Sequence, residues 1–361
     1  MWQGMRRPDL LALDGGGSKV DAALLSIDGQ VLGAARWDSG VVQGPARSDG
    51  GGRDGDELGL GPAVAAACVD ADLDPGRRPV ADLGLFCLAG ADLPADHQRI
   101  EQSIESHGWT AETVLRNDTF AVLRAGSARS WGVAVVCGAG TNCAAVAPDG
   151  RSFRFPALGH LSGDWGGGHD IGRAALWHAV RAEDGRGGST ALKELVPQHF
   201  GLDRPSQLVE ALYFGRWSDR RLVELPPLVF AAARHGDQIA VSIVERQADE
   251  VVTMVVTALR RLGMDGQDAQ GGSDSQHGLD VVLGGGIFHS DHPGLIARIE
   301  HGISRVVENV HIQVVTGPPL VGAALLGLDR LGATPQAMAR ARGALTHARL
   351  LHDDGGDRGD G

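Results

Sequence analysis

Short apolar runs separated by glycine turns open the chain. Residues 10–14 form an apolar run that ends in an aspartate and three glycines, and the apolar run 20–27 follows. An Asp28-Gly29 turn then leads into a third run over residues 30–36. Strands joined by tight turns of this composition form antiparallel hairpins. The pattern predicts three antiparallel strands, and no helical period follows the glycines as it would in a dinucleotide-binding fingerprint.

Helical and strand patterns alternate after residue 60. Apolar spacing predicts helices over residues 62–71 and 96–108, and another that starts at 120. Apolar runs predict strands over 80–88, 113–116, 280–283 and 311–315, and residues 189–262, 293–307 and 320–328 are expected to be mostly helical. Segments 40–61 and 264–278 are rich in Gly, Asp and Ser and are expected to be a mobile loop and a surface insertion. The alternation predicts an α/β fold.

The chain repeats its own opening plan. The sequence WGVAVVCGAGTNCAAVAPDGRSFRF, residues 131–155, follows the same order of apolar strand, glycine turn, strand and Asp-Gly turn as residues 10–33. In this alignment Ser18 matches Thr141 as the hydroxyl residue that follows each glycine turn. A duplicated hairpin indicates two related halves.

The length of 361 residues exceeds what one hydrophobic core usually organises. We expect an N-terminal domain over residues 1–117 and a C-terminal domain with a helical insertion over 118–340. A tail over 341–361 is expected to end in disorder. Whether the final helix returns to the N-terminal domain is left open by the sequence.

Charge and cysteine content restrict the class of protein. The 45 acidic and 33 basic residues give a net charge of −12, which disfavours nucleic acid or an anionic membrane as the main partner. There is no apolar stretch of about 18 residues that could cross a membrane. The four cysteines lack CxxC spacing, so we expect buried, reduced thiols in a cytoplasmic protein rather than a zinc or iron–sulfur site.

Three glycine clusters suggest nucleotide binding. A tight glycine turn lets phosphate approach the backbone and points amide N–H groups at its oxygens. Two such turns in duplicated hairpins could hold a triphosphate, and a third cluster after a strand could take the nucleoside. The alternative is that these are ordinary turns, and no GxxxxGK[ST] phosphate loop occurs. The candidate ATP-binding residues are Gly15, Gly16, Gly17, Ser18, Lys19, Gly138, Gly140, Thr141, Gly284, Gly285 and Gly286.

Carboxylates next to these turns could carry the chemistry. Asp14 could hold Mg²⁺ through water or simply cap a turn. Lys19 could neutralise phosphate or pair with Asp21. Asp118 follows a predicted strand and could act on an acceptor hydroxyl or cap a helix. Asp164 lies in a glycine loop and suits hydrogen bonding to sugar hydroxyls.

The motifs together resemble a known superfamily. The first and second phosphate motifs of the actin/Hsp70/hexokinase superfamily resemble LALDGGGSKVDAALL and GAGTNCAAVAPDG, and its adenosine motif resembles VVLGGGIF. The segments NDTFAVL and GDWGGGHDIG resemble motifs of the BadF/BadG/BcrA/BcrD ATPase family, which includes N-acetylglucosamine kinases. The resemblance covers roughly residues 9–330.

This resemblance implies two ribonuclease H-like domains, as in actin-like ATPases, on either side of an interdomain cleft. ATP and Mg²⁺ would bind at the glycine hairpins, and Asp118 would match the catalytic base. Asn142 and Asp164 would match residues that hold the sugar. The implied activity is phosphorylation of a hexose or amino sugar, with N-acetylglucosamine or glucosamine as the expected substrate and a 6-phosphate as product. A homodimer is common in such kinases.

Two departures from the family pattern affect the substrate. The loop after the third strand lacks the Asn that usually contacts the sugar, and Trp165 replaces the acidic residue of the usual GDEGS motif. Three alternatives remain: an ATPase activator with a bridging iron–sulfur cluster, a sugar-sensing regulator, or a kinase that only binds sugar. The cysteine pattern disfavours the first and the acidic charge the second. The intact aspartates and glycine turns disfavour the third.

Overall fold

The computed structural model describes residues 7–17, 19–38, 58–265, 278–290 and 292–351. Ser18, most of the loop expected over 40–61, most of the insertion expected over 264–278 and the end of the tail lie outside the described residues.

The described chain alternates strands and helices, as the sequence predicts. The strands are β1 (Leu10–Gly15), β2 (Val20–Leu25), β3 (Val31–Trp37), β4 (Ala81–Leu88), β5 (Thr110–Asn117), β6 (Gly132–Cys137), β7 (Thr141–Val146), β8 (Ser152–Arg154), β9 (Leu279–Gly284) and β10 (Val310–Val314). The helices are α1 (Gly61–Asp70), α2 (Pro94–His107), α3 (Asp118–Gly126), α4 (Gly167–Asp184), α5 (Leu192–His199), α6 (Pro205–Tyr213), α7 (Pro226–Arg234), α8 (Gln238–Leu262), α9 (Pro293–Ser304), α10 (Leu320–Arg330), α11 (Pro335–Ala344) and α12 (His347–Leu350).

The two sheets have the same plan. The first has the order β3-β2-β1-β4-β5, and the second, read from its other edge, has the order β8-β7-β6-β9-β10. In each, three antiparallel strands are extended by two strands parallel to the first of them. The shared order confirms the internal repeat and the predicted α/β fold of two related halves.

The first sheet is covered on both faces. Side chains of a strand alternate between faces, and along β1 Leu11 and Leu13 join a core with α1 and α2. Leu10 and Ala12 join a separate core with α3 and α10. Burial on both faces explains why β1 is continuously apolar up to Asp14.

The chain divides into two compact units. One takes its residues from Met1–Ser130 and Val315–Gly361, and the other is Trp131–Val314. The domain limits expected from sequence, 1–117 and 118–340, differ from this division at two places. Helix α3 belongs with the first sheet, and α10 returns to it, because α10 packs so closely on α3 that a methyl group at Gly322 would overlap the carbonyl of Ala121.

The second unit is built around α8. Val133 and Val135 of the second sheet share one core with Val251 and Val255 of this helix. Within the part of the chain that the structure describes, no helix combines the length and apolar character needed to cross a membrane.

Candidate active site

The first glycine turn closes the β1–β2 hairpin. Gly15 and Val20 are the last pair of the ladder, and the N–H of Gly16 donates to the carbonyl of Lys19 at 3.0 Å. A side chain added at Gly16 would meet no heavy atom within 4 Å, and Gly17 is exposed. Both backbone positions can therefore be approached by a ligand.

Asp14 lies next to this turn, near the end of β1, and its side chain is buried. Burial, and then the negative charges of Asp21 and Asp118, raise the pKa of Asp14 well above its usual range. The positive charges of Lys19 and Arg36 act in the opposite direction. Burial is the main cause of the raised pKa and the two neighbouring negative charges add to it, so a cation at Asp14 would favour the ionised carboxylate.

Arg36 settles which group pairs with Asp21. Its Nε donates to one carboxylate oxygen of Asp21 at 2.7 Å and its Nη2 to the other at 2.8 Å. Asp21 is fully buried. Of the two roles that the sequence left open for Lys19, pairing with Asp21 is therefore filled by Arg36, while the charge of Lys19 lowers the pKa of Asp14.

Asp118 is the first residue of α3, directly after β5. The capping bond is made by its neighbour, because the side-chain oxygen of Asn117 accepts the N–H of Thr119 at 3.2 Å and its hydroxyl at 2.7 Å. The amide nitrogen of Asn117 donates to Asp92 at 3.1 Å. Asp118 is partly buried, and its charge acts on Asp14. The structure thus brings two of the predicted carboxylates together at the carboxyl ends of the parallel strands β1, β4 and β5.

The second glycine turn is one residue shorter than the first. Cys137 and Thr141 are the last ladder pair of β6 and β7, and Gly138 N–H donates to the Gly140 carbonyl at 3.0 Å. By position in the hairpin, Thr141 therefore corresponds to Val20, although the sequence alignment pairs it with Ser18.

The hydroxyl of Thr141 lies in the core of the second unit. It is 3.2 Å from the sulfur of Cys137 and 3.9 Å from the sulfur of Met254. The backbone of the turn is the part that a phosphate could reach, because Gly138 and Gly140 have open space where a side chain would stand.

The third glycine cluster lies beside the second turn. Gly284 ends β9 and pairs with Val136 of the parallel strand β6. Gly285 has a φ of 99°, and a methyl group there would overlap the backbone of Cys137. Glycine is required at this position on both grounds, and Gly286 next to it is exposed.

The segment before α4 presents Asp164. Its N–H donates to the Gly159 carbonyl at 3.0 Å, and the hydroxyl of Ser162 donates to its carboxylate. Leu158 N–H donates in turn to the Ser162 hydroxyl at 2.7 Å. The loop therefore fixes the orientation of a partly buried carboxylate. Asn142, the other candidate for holding the sugar, accepts the Cys143 N–H at 2.8 Å through its side-chain oxygen.

The groups around Asp164 support the loop. Trp165 packs against the core of the second unit, and its ring lies 4.0 Å from the Arg246 guanidinium on α8. His160 lies 3.3 Å from the buried carboxylate of Asp170. Burial, followed by the charge of Arg173, lowers the pKa of His169.

A magnesium ion fits the charge of the first unit. Among the described residues, no group of three His, Cys, Asp or Glu side chains is arranged to hold a metal ion. Mg²⁺ keeps most of its water and needs only one or two carboxylates. Asp14 is a buried carboxylate next to an open glycine turn, with Asp21 and Asp118 near enough to affect its pKa, so these carboxylates fit a hydrated ion.

The thiols are poor candidates for a cluster at a surface. Cys68, Cys87, Cys137 and Cys143 are all free and buried. Burial raises the pKa of Cys68 to about 11 and that of Cys137 to about 12. Because metal clusters take thiolates, these protonated thiols argue against the iron–sulfur activator.

Three supporting residues were missed by the sequence reasoning. Arg36 and Asp92 carry no motif, and the structure alone pairs them with Asp21 and Asn117. Gln247 had a signal, because it is a polar residue on the apolar face of α8 and is fully buried.

The family model of the BadF/BadG/BcrA/BcrD ATPase family matches residues 11–327. The chain belongs to this family. It is similar to the N-acetylmuramic acid/N-acetylglucosamine kinase of Clostridium acetobutylicum, with 26% identity over 257 residues, 71% of this chain and 80% of that protein. It is also similar to the N-acetyl-D-glucosamine kinase of Dictyostelium discoideum, with 25% identity over 342 residues, 90% of this chain and 99% of that protein.

The fold is shared with solved structures. A crystal structure from Chromobacterium violaceum covers 89% of this chain and 99% of its own, with a TM-score of 0.63 and 23% identity. A ROK hexokinase from Thermus thermophilus covers 90% and 99%, with a TM-score of 0.53 and 17% identity. At these identities the likeness concerns the fold, and it confirms the predicted fold class of this ATPase family member.

Proposed function

We propose that this ATPase family member is a sugar kinase, which transfers the terminal phosphoryl group of ATP to a hydroxyl of a hexose or amino sugar. The expected acceptor is the 6-hydroxyl of N-acetylglucosamine or glucosamine. The observation that carries the proposal is that Asp14 and Asp118 both lie at the carboxyl ends of parallel strands of the first sheet, beside an open glycine turn. The charge of Asp118 affects the pKa of Asp14. The two related kinases of Clostridium and Dictyostelium support the choice of an amino sugar.

Asp118 is proposed as the catalytic base. Phosphoryl transfer to an alcohol is assisted when a carboxylate accepts the hydroxyl proton. Asp118 stands at the start of α3, and Asn117 fixes the backbone there through its bonds to Thr119 and Asp92. The capping bond at this end of α3 is therefore made by Asn117 and not by Asp118.

The glycine turns are proposed to hold the phosphates through backbone amides, with Lys19 adding positive charge. Asp14 would hold Mg²⁺ through water, and that ion would neutralise phosphate charge when bound. Gly284, Gly285 and Gly286 are proposed to meet the nucleoside, since they adjoin the second turn.

Asp164 and Asn142 are proposed to bind sugar hydroxyls. Trp165 packs under Arg246 and so takes the place of an acidic side chain without adding a carboxylate to the site. The relative activity of the protein on glucosamine and N-acetylglucosamine is therefore the property to measure. We further propose a cytoplasmic homodimer, and buried protonated thiols suit a reducing compartment.

The test is a coupled assay of ADP release with Mg-ATP and a panel of glucose, glucosamine, N-acetylglucosamine and N-acetylmuramic acid. Sugar-dependent turnover is expected, strongest on an amino sugar. Asp118→Asn should lower kcat by about 10²–10⁴-fold with nucleotide affinity retained. Asp28→Asn, at an exposed turn, is the matched control and should leave kcat unchanged. A rate of ADP release that does not depend on added sugar, or full activity in Asp118→Asn, would refute the proposal.

A further inference from the structure

Helix α4 begins without a free donor. The first four N–H groups of an α-helix have no partner within the helix and often bind anions. At α4 each is taken by an acceptor of the protein itself: Gly166 donates to the Asp170 carboxylate at 3.0 Å, Gly167 to Gln247 Oε1 at 2.9 Å, Gly168 to the Gly138 carbonyl at 2.8 Å and His169 to the Ala139 carbonyl at 2.8 Å. This helix end therefore holds the second glycine turn in place of an external anion.

Gln247 joins three segments through one amide group. The residue lies on α8 and is fully buried. Its oxygen accepts the Gly167 N–H at the start of α4, and its Nε2 lies 3.6 Å from the sulfur of Cys137 at the end of β6. A buried amide is costly unless both ends are bonded, so these contacts define where α8, α4 and β6 meet.

The glycines of the loop fit this amide closely. Gly166 has a φ of 138°, and a side-chain carbon there would lie 3.0 Å from Gln247 Oε1. Gly167 has a φ of 75°, and a methyl group there would overlap the backbone of Gly140. The loop before α4 is therefore in close contact with both Gln247 and the second glycine turn.

We propose that Gln247 is a positioning residue that couples the sugar-binding loop to the second phosphate turn. Asp164 lies two residues before Gly166, at one end of these contacts. At the other end, the turn Gly138–Gly140 directly follows Cys137, the second partner of Gln247. A sugar held by Asp164 stabilises this arrangement of the loop and the turn together, so each ligand favours binding of the other. This inference rests on the proposed function for the identity of the two ligands.

The test compares the dissociation constant of a non-hydrolysable ATP analogue with and without saturating sugar. In the unmodified protein the sugar should tighten analogue binding at least about five-fold. Gln247→Met keeps the side-chain length but removes the amide, and should lower this ratio at least about two-fold with a fall in kcat of about ten-fold or more. The direct bonds from Gly168 and His169 to the turn should retain the rest of the coupling. Gln247→Glu keeps an acceptor for Gly167 and should restore most of the ratio. If Gln247→Met does not fold, Gln247→Asn, which withdraws the acceptor, gives the same readout.

Val251→Ala is the matched control. Val251 lies on the buried face of the same helix, and its truncation should lower thermal stability while the ratio stays unchanged. A full ratio in Gln247→Met, or a lost ratio in Val251→Ala, would overturn the coupling role. An unmodified protein that turns over sugar but has a ratio of one would overturn the coupling and leave the kinase proposal standing.

Amide hydrogen exchange separates the two proposals further. Residues 138–140 and 166–169 should exchange at least about ten-fold faster in Gln247→Met and at the unmodified rate in Val251→Ala. If the unmodified protein lacks sugar-dependent turnover, the kinase proposal fails, and unchanged exchange in Gln247→Met would independently refute the link between the two segments.

Discussion

Asp14 on β1 and Asp21 on β2 are direct cross-strand partners, and both side chains are buried. Like charges opposite each other repel, yet only Asp21 has both oxygens bonded to the Arg36 guanidinium. Arg36 thus compensates one acid of the pair and leaves the other available for a cation.

Removal of Arg36 should therefore destabilise the first unit. Arg36→Met leaves the Asp21 carboxylate buried and unpaired, which costs about 3–5 kcal/mol of unfolding free energy. Urea-induced unfolding measures the change. The double variant Arg36→Met/Asp21→Asn removes the uncompensated charge and should recover most of the loss. Equal stability of the single variant and the unmodified protein would contradict the assignment.

The third glycine cluster offers a matched pair of substitutions. Gly285→Ala places a methyl group against the Cys137 backbone at a positive φ, so the end of β6 must move and nucleotide affinity should fall at least about ten-fold. Gly286→Ala meets no atom within 4 Å and should leave the fold unchanged. Calorimetric titration with an ATP analogue and circular dichroism measure both effects. Similar behaviour of the two variants would refute the steric argument.

Close packing of α10 on α3 makes a second glycine indispensable. Gly322→Ala overlaps the carbonyl of Ala121 and should cost about 1–3 kcal/mol or more, because two backbones must separate. Gly343→Ala on α11 has open space and should raise stability by up to about 1 kcal/mol, since alanine favours a helix. Thermal unfolding of both variants compares them. A harmless Gly322→Ala would show that the helices are not in contact as described.

Buried, protonated thiols should be unreactive in the folded protein. The pKa of Cys68 is raised to about 11 and that of Cys137 to about 12 by burial, and burial also raises the pKa values of Cys87 and Cys143. At pH 8 a disulfide reagent should modify none of the four thiols within minutes and all four after denaturation. Rapid modification of the native protein would contradict their burial.

The start of α8 should respond to acid. Burial opposes ionisation of Asp237, but hydrogen bonds from the N–H groups of Ala240 and Ala191 and from the Thr190 hydroxyl lower its pKa overall. The ionised carboxylate therefore stabilises the fold above the unfolded pKa of about 3.9. That stability is lost as the pH falls from about 4 through the lower folded pKa.

Asp237→Asn removes this titration and retains an oxygen for the cap. Between about pH 5 and 2, the free energy of unfolding of this variant should fall less than that of the unmodified protein. Urea unfolding at a series of pH values measures both. Parallel pH dependence of the two proteins would refute the role of the Asp237 carboxylate.

Local patterns predicted much of this fold. The hairpins could be predicted because a glycine turn between apolar runs is a pattern of adjacent residues. The same pattern occurs twice in the chain, which strengthened the prediction. The family was predicted from motifs spread over the chain, and the match over residues 11–327 confirms it.

Long-range partners account for what the sequence did not indicate. Helix α4 begins at Gly167, inside a run of three glycines. Three consecutive glycines disfavour a helix, and here the N–H groups of Gly167 and Gly168 find acceptors on Gln247 and Gly138, far away in the chain. Strand β5 is longer than the expected 113–116 because it pairs with β4 from Thr110 to Asn117.

Because α10 packs on the first sheet, the two units are completed at different times during synthesis. Trp131–Val314 is one uninterrupted stretch, so the whole unit is translated before α10. Leu10 and Ala12 of the first sheet lack the α10 part of their core until Leu320–Arg330 has been translated. The core of the first unit is therefore completed only after the whole of the second unit has been translated.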